Sequence, residues 1–217
     1  FTYSIHWGDG SAPDTGAASV DIPGSSGKVT RGTFDGAHTY VDDGPYTVSL
    51  TVGDDDGGVS AARLVTVLVT NAPPVITSAS LDQDVILESE SVVLTGTFTD
   101  AGTSDTHTAV VDWGDGNISD AVVDPAARTF TATHQYVDSP SVSPPRYTIS
   151  VTVQDNGGAV DTQSLQVTVN AAPPVVNAGA DQASDEGQGV TFAGSFTDLS
   201  VGDTHTLLWD FGDGTTD

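Results

Sequence analysis

The sequence predicts an all-β protein built from antiparallel β-sandwiches in tandem. Three observations carry this. Segments with apolar or β-branched residues at every second position recur through the 217 residues, and no stretch keeps a helical period. Clusters of Gly, Pro, Asp and Asn separate these segments at short intervals, as tight turns require. The same motifs also return in the same order. Gly-Asp-Gly stands at 8–10, 114–116 and 212–214, giving spacings of 106 and 98 residues. A period of that size is a small domain and too long for a solenoid turn.

The repeat register gives three pieces. Residues 1–70 read as a first repeat that begins at its third strand. Residues 71–169 read as a complete repeat, and residues 170–217 as a third that stops after its third strand. The sequence TGTFTD at Thr95–Asp100 answers to AGSFTD at Ala193–Asp198, and NAPP at Asn71–Pro74 to NAAPP at Asn170–Pro174. With no methionine present, the chain is expected to be a window on a longer polypeptide.

Seven strands are expected in the complete repeat. Strand A follows the NAPP linker over about Val75–Leu87. Strand B covers Ser91–Thr99, where β-branched and apolar residues dominate. Strand C, Thr108–Trp113, carries a tryptophan and runs into Gly-Asp-Gly, whose glycines supply positive φ for the turn to strand D at Ile118–Val123. Strand E, Thr129–His134, leads into His-x-Tyr. Strand F, Tyr147–Val153 (YTISVTV), repeats YTVSLTV at Tyr46–Val52 with strict period two. Strand G, Ala159–Asn170, closes the sandwich.

Charge narrows the function. Thirty acidic residues against five lysines and arginines give a formal net charge of −25. Nucleic-acid binding needs a basic footprint and is excluded. Attraction to an anionic membrane is disfavoured, and no direct membrane insertion is expected of this segment. Cysteine is absent. Each repeat must then hold together by its own core, for which about a hundred residues suffice.

The motif string is specific when taken together. It runs WDFGDG at Trp209–Gly214, then His-x-Tyr at His38–Tyr40 and His134–Tyr136. The YTVSLTV-type strand follows, then Asp54–Gly57 and Asp155–Gly158, and finally a strand ending in Asn-x-Pro-Pro. This string resembles the PKD (polycystic kidney disease) domain family over essentially the whole chain. The resemblance implies an immunoglobulin-like sandwich, usually extracellular, often in tandem and usually non-catalytic. Two features depart from the pattern. Trp7 and Trp113 stand two places later than Trp209, which keeps the same strand face. Ser11–Gly36 and Ser139–Pro144 are inserts, where repeat-specific binding would reside.

No catalytic motif emerges: there is no nucleophile elbow, no His-Glu-x-x-His and no phosphate loop. The chain is read as not an enzyme. His38, His107, His134 and His205 belong to recurring motifs and read as scaffold, the tryptophans as core, and Tyr40 and Tyr136 as corner anchors.

Calcium is the sharper hypothesis. In such a sandwich the incoming linker, the B–C loop and the F–G loop lie at one end. They bring together Asn71, Asp100, Asp105 and Asp155, oxygen-bearing side chains of the kind calcium takes. The third repeat offers Asn170, Asp198 and Asp203 as a second calcium set. Members of the family can bind calcium near this linker end, so the resemblance points the same way. The competing reading makes these aspartates turn residues that bond their own loops.

The functional expectation is a secreted or cell-surface segment of spacer and adhesion repeats. It would contact other extracellular proteins or glycans and act as a monomeric rod-like array, stiffened by calcium at its junctions. The alternative is an accessory substrate-binding module of a secreted polysaccharidase or protease, which requires an exposed aromatic strip.

Overall fold

The computed structural model describes residues 1–200 and 202–217. These form two compact units. One contains Phe1–Pro74 with Asp100–Thr106 and Asp155–Ala159; the other contains Val75–Thr99, His107–Gln154 and Val160–Asp217.

In the first unit the strands are β1 (Thr2–His6), β2 (Asp14–Ala17), β3 (Ser19–Ile22), β4 (Arg31–Thr33), β5 (Gly44–Gly53) and β6 (Arg63–Val69). Four of them make one antiparallel sheet in the order β2-β1-β5-β6. The insert at Ser11–Gly36 contributes β2 to that sheet and folds back on itself as the β3–β4 hairpin.

The second unit carries β7 (Val75–Leu81), β8 (Val85–Leu87), β9 (Ser91–Thr99), β10 (His107–Asp112), β11 (Ile118–Asp124), β12 (Thr129–Gln135), β13 (Arg146–Asp155) and β14 (Val160–Asn170). Their order is β7-β9-β12-β11-β10-β13-β14-β8. The sequence-derived strands B to G all appear, each within two residues of its expected ends.

Two details were not expected. Strand A is split. β7 pairs antiparallel with β9, whereas β8 pairs parallel with β14 on the other side of the sandwich. Asp82 sets the break: its Oδ1 accepts the amides of Gln83 and Val93 at 2.9 and 2.7 Å. Strand D is shared. Ile118–Ala121 pairs with β10, and Val122–Asp124 with β12, so β11 links the two sheets.

Alternation places every second side chain inside. Val92, Leu94 and Phe98 of β9 meet Ala109 and Val111 of β10, Ile149, Val151 and Val153 of β13, and Val167 and Val169 of β14. Trp113 and Tyr136 are fully buried in the same cluster. The tryptophan of the complete repeat is therefore core, as its place on strand C implied. In the third repeat β16 (Ser195–Thr197) pairs with β15 (Val175–Asn177) as a two-stranded ribbon. Strands with one neighbour are marginal, which limits their length.

Candidate functional site: an acidic loop cluster

Two sets of aspartates serve different ends. The first lies in Gly-Asp-Gly. Gly114 and Gly116 hold φ of 81° and 95°, and a Cβ on Gly114 would stand 2.4 Å from the Thr148 carbonyl oxygen. Between them Asp115 accepts the Asn117 amide at 3.0 Å through Oδ1 and meets His134 Nε2 at 2.7 Å through Oδ2. His134 stacks on Trp113 with ring centroids 4.8 Å apart. Tyr136 donates its hydroxyl to the Trp113 carbonyl at 2.8 Å. The first repeat repeats this network with Asp9, His38, Trp7 and Tyr40. Burial pushes the Asp115 carboxyl up, but the bonds from His134 and Asn117 outweigh it and hold the group below its ordinary value. These aspartates lock turns.

The second set lies in the loops. Carboxylate oxygens of Asp100, Asp105 and Asp155 all stand within 4.8 Å of one another. Asp105 and Asp155 are buried, at 8% and 5% exposure, which is unusual for charged side chains. Asn71 donates its Nδ2 to Asp155 Oδ2 at 2.8 Å. Asp155 Oδ1 accepts the Ala159 amide at 2.9 Å, and Asp100 Oδ1 accepts the Gly102 amide at 2.8 Å. Asn156 Oδ1 accepts the Thr106 amide at 2.9 Å, tying the two loops together. Burial would raise the Asp155 carboxyl. The Asn71 amide and the backbone amides of Ala159, Gly158 and Gly157 more than offset that and hold it below its ordinary value.

Two glycines make room for the set. A Cβ on Gly102 would fall 2.1 Å from Asp105 Oδ2, and one on Gly157 would fall 2.5 Å from Asn71 Nδ2. All four residues expected from sequence for this repeat therefore converge. The turn reading holds in part as well, because Asp100 and Asp155 each bond backbone amides of their own loops. In the first repeat Asp54 does the same, accepting the amides of Asp56 and Gly58 at 3.1 and 2.6 Å.

The third-repeat residues have other partners. Asp198 meets His205 Nε2 through Oδ2 and accepts the Ser200 amide, and both bonds hold its carboxyl down. The Asn170 carbonyl accepts the Glu88 amide at 3.0 Å at the end of β14. Asp203 lies with Glu88 and Asp138, whose ligand oxygens fall within 4.8 Å of one another. That grouping was missed in the sequence, although two signals pointed to it. Glu88 and Glu186 stand 98 residues apart among a chain of aspartates, and Asp42 and Asp138 each stand four places after the histidine of His-x-Tyr.

Fold and site together define an array of immunoglobulin-like sandwiches whose loop ends collect carboxylates. The PKD domain family model matches residues 71–169 and 170–217, and the chain belongs to that family. A search of curated proteins finds no match. Among solved structures, the PKD domain of an M14-like peptidase from Thermoplasmatales archaeon SCGC AB-540-F20 is 20% identical, with a TM-score of 0.39, covering 46% of this chain and 99% of its own. The PKD1 domain of Vibrio anguillarum Epp is 22% identical, with a TM-score of 0.35, covering 48% and 100%. A tetra-tandem repeat in the extending region of a large adhesion protein is 17% identical, with a TM-score of 0.45, covering 92% and 56%.

Proposed function

We propose that this chain is a non-catalytic segment of a secreted or cell-surface protein. Its repeats serve as spacer and adhesion modules toward extracellular proteins or glycans, and calcium binds at Asn71, Asp100, Asp105 and Asp155. The observation that carries the calcium reading is the meeting of three carboxylates, two of them buried, from loops far apart in sequence. Three negative charges this close repel strongly in a partly dry site. A hard divalent cation turns that repulsion into binding, and carboxylate and carbonyl oxygens are its preferred ligands. Binding would join the B–C and F–G loops.

The hydrolase-accessory alternative asks for rings on the surface. The aromatic residues within 71–169 are Phe98, Trp113, Phe130, Tyr136 and Tyr147, and all are buried or half-buried. That favours the spacer reading over sugar stacking on this repeat.

The test is a thermal melt of the 217-residue chain in millimolar calcium against chelator at matched ionic strength. At a hundredfold excess over Kd, specific binding stabilises by about 2.7 kcal/mol. For a hundred-residue domain that raises Tm by roughly 10 °C. The rise should shrink in Asp100→Ala and should not be reproduced by magnesium or sodium. Equal melts with calcium and chelator would leave the aspartates as turn residues.

A further inference from the structure

Glu88 is fully buried, and its two carboxylate oxygens are treated differently. Oε1 accepts the Ala172 amide at 2.7 Å, while among the described residues Oε2 is buried with no hydrogen-bond partner. A carboxylate in that state is costly unless a proton, a base or a cation answers its charge. The lysine and arginine side chains of this unit are Arg128 and Arg146, which bond His107 and Gln166. What meets Glu88 instead is more negative charge, from Asp138 and Asp203.

We infer that Glu88, Asp138 and Asp203 hold a divalent cation of calcium size, at a site separate from the Asp100–Asp105–Asp155 cluster. Two oxygens bound to one calcium at about 2.3–2.6 Å are never more than about 5 Å apart, and the three ligand oxygens satisfy that limit. The donor set is oxygen only, which suits calcium and excludes a soft metal. Neighbouring contacts hold the ligands in place. Ser89, at φ 67°, donates its hydroxyl to the Leu199 carbonyl at 2.8 Å. A Cβ on Gly202 would stand 2.9 Å from Asp138 Oδ2, so the loop that carries Asp203 lies directly against Asp138.

A parallel grouping supports the assignment. Asp42 is the first-repeat counterpart of Asp138, and Asp105 the second-repeat counterpart of Asp203. Asp42, Asp43 and Asp105 also bring ligand oxygens within 4.8 Å of one another. An acid that follows His-x-Tyr therefore meets an acid that precedes Thr-His-Thr twice in the chain. The Glu88 site stands independently of the calcium reading at Asp100, and the two are separable by experiment.

The experiment is isothermal calorimetry of calcium into the chelator-stripped 217-residue chain at fixed ionic strength, with far-UV circular dichroism on each variant. Glu88→Gln keeps an oxygen for the Ala172 amide while removing the charge. It and Asp138→Asn should each abolish one calcium equivalent, or weaken it at least about tenfold, and leave the equivalent that Asp100→Asn removes. Asp203→Asn, on an exposed residue, gives the same readout without disturbing the core. Asp198→Asn should leave this equivalent intact. Wild-type binding in Glu88→Gln and Asp138→Asn would overturn the site. Loss of the same equivalent in Asp198→Asn but not in Asp138→Asn would also overturn it, moving the cation to the Asp198–Asp203 loop. Should Glu88→Gln fail to fold, Asp138→Asn and Asp203→Asn decide.

Discussion

At Tyr136 a fully buried phenol donates to the carbonyl of Trp113, the last core residue before Gly-Asp-Gly. Removing the hydroxyl leaves that carbonyl without this donor. Tyr136→Phe should therefore cost about 1–2 kcal/mol, read as a shift in denaturant midpoint at constant slope. The carboxylates give a pH dependence of known sign. Asp115, Asp155 and Asp198 all have folded-state carboxyls held below their ordinary value. A group depressed in the folded state stabilises the protein above its unfolded pKa, and that contribution is lost as pH falls through the folded value. Tm should then be flat near neutrality and drop below about pH 4. In Asp115→Asn the acid limb should be shallower; an unchanged limb would show that the His134 contact contributes nothing.

At the level of elements, the loops are shaped by what they exclude. Gly102 lies where any Cβ would strike Asp105. Gly102→Ala should displace that carboxylate and lower calcium affinity, while strands β9 and β10 keep their register; titration and circular dichroism measure the two effects separately. The strands themselves were readable because period-two alternation depends only on near neighbours. The split of strand A and the sharing of β11 between sheets were not. Both depend on which strand lies alongside, a choice made by residues far away in the sequence such as Val93 and Thr168.

For the whole molecule, a net charge of −25 makes folding a contest with self-repulsion. Sodium chloride raised from low concentration to about 0.5 M should raise Tm by screening, and calcium at matched ionic strength should raise it further. If sodium alone reaches the full effect, the acidity serves solubility and no cation site contributes.

The sequence by itself determined the repeat, strands B to G of residues 71–169 and the convergence of Asn71, Asp100, Asp105 and Asp155, whereas the Tyr136 hydroxyl reaches the Trp113 carbonyl rather than a nearby corner. Each follows from local period, from turn chemistry, or from the shared end of a sandwich. The tertiary structure alone decided that Glu88 would be sealed in with an unbonded oxygen and that Asp138 and Asp203 would face it. Those three residues are separated by 50 and 65 positions, since 138 − 88 = 50 and 203 − 138 = 65. The repeat shows that such acids recur, but which of them meet is set by how the loops pack.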